Sequence, residues 1–303
     1  MFSYSFELPT LMILAIILGF YFSRPRLPIR RNLNFVNMIL IETLTILIDV
    51  AATEMDNDYM SYSIALVSLL NMAYFVVFFV RAYVMYLFSV SVMRDSLQND
   101  TLAKHLIRLP LYLGILLSVL SPVIGSSGFP YVIFYIDESG YHSGSFYDFL
   151  YVCGFFYVLM SFIAMLMYGR NLRRRREKYG ILVYNLILFM ALVIRMSLPK
   201  YLIMDTLILM AILVVFLAFG NPEFFLDLRG AAFNRLALSE HLEEDRIRGR
   251  FISFGVVIND YHEMRDIYGS SQVEEGLVMI ARYLKRLFRG GIVFYVRKGR
   301  FVV

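Results

Sequence analysis

The stretch from Ile64 to Val90, IALVSLLNMAYFVVFFVRAYVMYLFSV, decides the fold class. It is apolar almost throughout and contains one charged residue, Arg81. At about 1.5 Å per residue a helix of this length exceeds the roughly 30 Å hydrocarbon thickness of a bilayer. The stretch therefore reads as a membrane span. Six more apolar segments flank it: Leu8–Phe22, Val36–Ala52, Leu109–Ile124, Phe149–Tyr168, Ile181–Leu198 and Leu202–Phe219. A span takes roughly 17–25 residues, so the Leu109 segment is marginal. Leu8–Phe22 has no positive residue before it and no small-residue cleavage site after it, so it reads as a retained span.

The whole chain fits this reading. It is 59% hydrophobic and 17% charged, with mean hydropathy +0.64, against about 45–50% and 25% for a soluble domain. Its one cysteine, Cys153, lies in an apolar run and cannot form an internal disulfide or a metal cluster. No spacing of His and Cys suggests a metal site, and no metal is expected.

The loops set an orientation. Arg24, Arg26, Arg30 and Arg31 follow span one, and Arg94, Lys104 and Arg108 follow span three. After span five come Arg170, Arg173, Arg174, Arg175, Arg176 and Lys178. The alternate loops carry Glu54, Asp56 and Asp58, then Asp137, Glu138 and His142, and finally Lys200 as the one basic residue after span six. By the positive-inside rule the N-terminus is outside and everything after Gly220 is cytoplasmic. The arginine run fixes topology against anionic lipid; no motif or aromatic interleaving suggests nucleic acid.

Charges within spans cost about 2.5–3.5 kcal/mol each on insertion scales, so each needs a partner or a role. Glu42 and Arg81 each lie about ten residues from the inner end of their span, roughly 15 Å deep, and are expected to pair. Asp49, Arg195 and Asp205 fall near outer ends and form a candidate second cluster, either a ligand or ion site or a set of struts between helices. The span interiors do not show the pair of Gly/Pro-interrupted spans, one in each half, that a transporter would favour, with Pro122 at the end of span four. The outer loop Gly125–Tyr147 is rich in Gly and aromatics, including Gly128, Phe129 and Pro130. Its Asp137-Glu-Ser-Gly140 stretch predicts a turn in a small hairpin.

Asn221-Pro222 ends the last span. An amphipathic segment follows from Phe233, and Phe251–Ile258 reads as a buried strand. Asp260 to Gly269 and Val273 to Leu287 predict two helices, and Ile292–Val296 another strand. Val293–Val296 and Phe301–Val303 are expected to form a hairpin around Arg297-Lys298-Gly299-Arg300. With Asp227-Leu-Arg-Gly-Ala-Ala-Phe-Asn234-Arg235 upstream, this order resembles the GGDEF-domain (diguanylate cyclase) family, in which two GTP molecules are joined across a domain pair. The resemblance covers roughly Asn221 to Val303; the region before it resembles sensor regions only in architecture.

Carried over residue by residue, the resemblance implies a degenerate site. Its metal-binding acids fall on Val257, Asn259 and Gly299, and its guanine-reading positions on Arg265 and Glu274. The signature glycines fall on Arg297 and Lys298, the catalytic acid on Arg300, and only Phe301 is kept. The inhibitory-site pair falls on Phe288 and Gly291, with Arg289 adjacent. Neither Val257 nor Gly299 can ligate a hard cation. The module is thus expected to be catalytically inactive, with Mg and GTP as cofactors only if it were active. By the same comparison it would be about half complete at Val303, leaving an edge for another chain to cover or marking a truncation.

Together these features imply a mainly α protein. A seven-span bundle over 1–220 is followed by a linker and signalling helix over 221–250 and an incomplete GGDEF-like α/β module over 251–303. The implied role is that of a signalling or sensor protein of a bacterial inner membrane, acting through protein contacts. Its partners would be the lipid bilayer, a second copy or another GGDEF-type protein, and an unknown outer ligand. The alternatives are residual GTP binding with weak cyclase activity, or small-molecule transport.

Overall fold

The structure is a computed structural model. It describes residues 6–23, 25–58, 61–93, 101–125, 131–137, 140–169, 172, 175–198, 203–219, 225–248 and 252–303. Arg24, Arg94, Gly128, Phe129, Pro130, Glu138, Arg170, Arg173, Arg174, Lys200, Leu202, Asn221, Pro222 and Phe251, all named above, lie outside the described residues. The chain divides into two units, one of residues 1–20 and 33–220, the other of residues 21–32 and 221–303.

The first unit is helical. Its helices are α1 (Glu7–Phe22), α2 (Arg30–Asn57), α3 (Ile64–Met93), α4 (Thr101–Gly125), α5 (Phe149–Tyr168), α6 (Arg175–Ser197) and α7 (Met204–Phe219). Five of them, α2 to α6, are long and apolar enough to cross a membrane, whereas α1 and α7 are shorter apolar helices. At sixteen residues each these two rise roughly 24 Å. The described residues of the apolar segments read from the sequence lie on these helices, apart from Leu198 and Ile203 at two segment ends.

The main helix packing sets α3 against both α4 and α5, and α6 against α5 and α7. Gly154 lets α5 approach Leu192 of α6, and Gly180 lets α6 approach Ala218 of α7. Small residues allow such close approach where lipid supplies no hydrophobic drive between helices. The outward faces remain apolar, with Leu166 85% and Val123 71% exposed. In water such faces would be a liability; against hydrocarbon they are the matching surface.

Helix α4 departs from expectation, since both Pro110 and Pro122 lie inside it. The segment read as beginning at Leu109 starts instead at Thr101, which turns Pro110 from a helix boundary into an interior residue. Proline removes one donor and crowds the carbonyl four residues before it. Helix α5 supplies donors nearby: Tyr157 donates its hydroxyl to the Ile107 carbonyl at 3.0 Å, and Cys153 its thiol to the Pro110 carbonyl at 3.7 Å.

Between α4 and α5, strands β1 (Phe134–Asp137) and β2 (Gly140–Ser143) pair antiparallel, with Asp137 opposite Gly140. Gly140 at φ 112° supplies the left-handed backbone of that turn. Phe134 is fully buried and stacks on Phe75 of α3 at 5.1 Å, so the hairpin is rooted in the bundle. Ser121 of α4 accepts a hydrogen bond from the Ile133 amide at 3.0 Å, which fixes the hairpin's base.

The second unit is α/β. It contains β3 (Leu226–Asp227), a 3-10 turn at Leu228–Gly230, β4 (Ala232–Phe233), α8 (Arg235–Arg248), β5 (Gly255–Val257), α9 (Tyr261–Leu287), β6 (Phe294–Arg297) and β7 (Arg300–Val302). Asn234 caps α8 by accepting the Ala237 amide at 3.0 Å. Gly269, at φ 80° and ψ 158°, interrupts α9 where two helices were expected. The sheet order is β3-β4-β6-β7-β5, with β4 and β6 parallel and the remaining pairs antiparallel.

Side chains alternate across this sheet as strand geometry requires. Val293 and Phe301 face a core with Leu277, Ala281 and Leu284 of α9. Phe294 faces the other way, into a second core with Ala237 of α8 and with Leu27 and Ile29. The last two belong to the loop between α1 and α2, whose charges the sequence reading used only for topology. Arg30 and Arg31 extend the arrangement through ion pairs to Glu244 at 3.7 Å and Glu240 at 4.0 Å.

The expectation of a buried strand over Phe251–Ile258 needs correction. Only Gly255–Val257 is strand, and Ile252 and Val257 are 82% and 60% exposed. The run lies at the sheet edge and pairs with β7 alone among the described strands, so no described strand covers its outer edge.

Candidate functional site: a buried carboxylate and guanidinium cluster

Helix α2 turns one face inward, burying Phe35, Met38, Ile39, Glu42, Thr45, Ile46, Asp49, Ala52 and Thr53 at helical spacing. Glu42 and Asp49, seven residues apart, therefore point to the same side two turns from each other. Arg81, at the middle of α3, meets the first of them: its Nη1 lies 3.5 Å from Glu42 Oε2, with side-chain exposures of 3% and 0%. The structure thus brings together the pair expected from matched depth.

The same guanidinium nitrogen also donates to Asp205 in the first turn of α7. Its Nη2 lies 3.6 Å from Met204 Sδ, and its carbon sits 4.9 Å from the Phe78 ring centroid. Asp205 was expected with Asp49 and Arg195 in a separate outer cluster. It bridges to Arg81 instead, so the two expected groups are one. The reason lies at the helix start: Asp205 is the second residue of α7, so its side chain reaches back from the helix end toward the middle of α3.

Asp49 and Asp205 do meet, with a third partner that the sequence reading omitted. Ligand atoms of Glu7, Asp49 and Asp205 all lie within 4.8 Å of one another, and all three residues are buried. Glu7 opens α1 and is 1% exposed. Pro9 was the available signal. Proline is favoured in the first turn of a helix, which places the start of α1 before Leu8 and Glu7 inside it. Acids in the first turns of α1 and α7 also suit the helix dipoles. Arg195, in the last turn of α6, acts electrostatically on Asp49.

The cluster holds four carboxylates, Glu7, Glu42, Asp49 and Asp205, with Arg81 and Arg195. Its hydrogen bonding is incomplete: among the described residues neither carboxylate oxygen of Glu7 has a hydrogen-bond partner, and neither does Glu42 Oε1. One turn along α1, Thr10 places its hydroxyl 3.3 Å from that of Thr206. Chemically this is a hard-oxygen site with two fixed cations beside it.

The degenerate family positions form no comparable site among the described residues. Val257, Asn259, Arg265, Arg297, Lys298 and Arg300 are exposed. Glu274 pairs with Arg229 at 3.4 Å on the surface. Lys298 and Gly299 form the two-residue turn between β6 and β7, both with positive φ, at 47° and 73°. Such a turn matches the twist of a hairpin. Gly299 is buried there, its amide donating to the Tyr295 hydroxyl at 3.4 Å and its carbonyl accepting the Ile258 amide at 3.0 Å. Burial raises the Tyr295 phenol above its ordinary range. Beside α9 lies a groove of about 260 Å³ lined by Ile258, Met264, Tyr268, Gln272, Val273, Gly276, Leu277 and Ile280. Its lining carries no charge, so it offers nothing to neutralise a triphosphate. No protein-family model, curated protein or solved structure matches the chain.

Proposed function

We propose that this is a multi-pass signalling protein of a bacterial inner membrane. In this reading α1 to α7 all span the bilayer, the N-terminus is outside, and the second unit is a degenerate GGDEF-like module in the cytoplasm. The buried carboxylate and guanidinium cluster is the input. The output is a change in the second unit that another protein, or a second copy of this one, reads by contact.

One observation carries this reading. Residues 21–32 connect α1 to α2, yet they belong to the second unit, where Leu27 and Ile29 are core residues. Both helices joined by that segment carry cluster members further along, Glu7 on α1 and Glu42 and Asp49 on α2. A helix transmits displacement as a stiff rod over such distances. A shift of α1 or α2 driven by the cluster must therefore move, or strain, a segment packed against Ala237 and Phe294. The two-state element both ends would bias is the packing of that segment, and that is the physical content a coupling claim requires.

Hydrogen exchange on the full chain in nanodiscs tests this. Asp49→Asn changes the cluster's charge and should alter amide protection around Ala237 and Phe294. A variant with four Gly/Ser residues inserted at each of the 22/23 and 29/30 junctions, just outside α1 and α2, should lose that response and keep its basal protection. Unchanged protection at Ala237 and Phe294 in Asp49→Asn, with altered protection at the start of α1, would sink the coupling. The competing enzyme reading is tested by GTP with magnesium or manganese: no cyclic dinucleotide should form, and measurable turnover would promote it.

A further inference from the structure

The geometry points to a binding site for a hard divalent cation, of calcium size, formed by Glu7, Asp49 and Asp205. Three arguments converge on it. The first is spacing. Calcium binds oxygen at about 2.3–2.6 Å, so two ligands on opposite sides of the ion stand at most about 5 Å apart. One ligand atom from each of these three residues falls within 4.8 Å of the other two. Three carboxylates supply up to six oxygens, and calcium takes about six to eight.

The second argument is independent of proximity. Glu7 is 1% exposed, and both of its carboxylate oxygens lack a hydrogen-bond partner among the described residues. Glu42, outside the trio and fully buried, meets Arg81 through Oε2 at 3.5 Å, and its Oε1 lacks such a partner as well. Buried polar atoms almost always find a partner, and a buried charge without one costs several kcal/mol. Buried acceptors that meet no donor among the described residues leave room for a bound cation to satisfy them.

The third argument is charge. Glu7, Asp49 and Asp205 stand together with Arg81 donating to Asp205, so ionising all three carboxylates leaves local negative charge that a divalent ion would offset. The donor set then selects the metal. All donors are hard oxygens and no His or Cys takes part, which disfavours zinc and copper. Magnesium requires near-ideal octahedral geometry and keeps several waters, which suits a buried trio of carboxylates from three helices less well. Arg81 and Arg195 then act as fixed neighbours that let the site release its ion, where a purely acidic cage would hold it.

This assignment names the ligand of the input proposed above, and so rests on that reading. Its test reads binding alone, so binding and coupling fail separately. The full chain in zwitterionic nanodiscs, stripped with a chelator, is titrated with calcium chloride by calorimetry, and its thermal unfolding is followed with and without the ion. The expected result is one calcium per chain and a higher Tm. Binding should weaken at least tenfold in Glu7→Gln and in Asp49→Asn, and stay unchanged in Asp137→Asn, an acid of the outer hairpin. Thr10→Val, which leaves every carboxylate in place but removes buried hydrogen bonds, should lower Tm yet keep calcium affinity within about threefold of the wild type, which separates ligation from general damage to this corner. Absence of binding at millimolar calcium overturns the proposal. So does binding that survives Glu7→Gln, or a metal-free chain whose Tm depends on pH but not on calcium, because protons would then hold the charges.

Discussion

Replacing Arg81 by methionine leaves Glu42 and Asp205 buried without the cation they share. At an effective dielectric of about 20, two unit charges 3.5 Å apart attract by about 5 kcal/mol. Desolvation of the three groups offsets much of that in the intact cluster, so the net value of the pair is far smaller. Removing one partner is different, because the penalty of the remaining buried charge stays; breaking a buried pair in this way costs about 3–5 kcal/mol. Loss of the Phe78 contact adds at most about 1–2 kcal/mol. Arg81→Met should therefore lower the unfolding free energy in mixed micelles by about 3–5 kcal/mol. Glu42→Gln keeps the shape and removes one charge, so it should cost less. The double variant is the decisive measurement. Its loss should fall short of the sum of the single losses by about 1–3 kcal/mol, because a neutral amide at position 42 leaves no charge stranded there. If the two losses add, the residues are not energetically coupled and the central link of the cluster is wrong.

Two more outcomes follow from the geometry. A Cβ at Gly144 would collide with the Val132 carbonyl oxygen, so Gly144→Ala should destabilise the β1–β2 hairpin by about 1–3 kcal/mol, read as earlier proteolysis between α4 and α5. Cys153 is 1% exposed, so the native protein should resist maleimide. Tyr62→Cys should then label on intact cells and Ser270→Cys only after permeabilisation; the reverse pattern would invert the proposed topology.

The apolar runs made the helices legible because a bilayer demands uninterrupted hydrophobicity, and Phe149–Tyr168 matches its segment end to end. Helix ends in polar surroundings were harder. The sequence signal stops where the apolar run stops, whereas α2 continues from Arg30 to Asn57 and α4 starts at Thr101. The pairing of Glu42 with Arg81 was legible because depth is a one-dimensional quantity that can be counted along two helices. Glu7 was missed because it sits at the flank of its run, and Asp205 was misassigned because its reach depends on which helix faces it. The turn at Lys298-Gly299 was legible from local chemistry. Strand β5 was overestimated because an apolar run does not reveal whether a sheet will cover it. Leu27 and Ile29 carried a signal that charge counting obscured: two aliphatic residues flanking Pro28 in a basic loop have little reason to face water.

That loop also imposes an order of events on a ribosome. Arg30 and Glu244 are hydrogen-bonded at 2.9 Å but stand 214 residues apart in the chain. At about 5–20 residues per second, roughly 10–40 s separate their synthesis. During that interval α2 to α7 are made, and the segment that connects α1 to α2 has no core to join. Leu27 and Ile29 must wait, apolar and uncovered, until Ala237 and finally Phe294 emerge. A connecting segment made early is thus completed by elements made much later, and the interval between them is when a chaperone or the membrane surface would have most to gain by holding it.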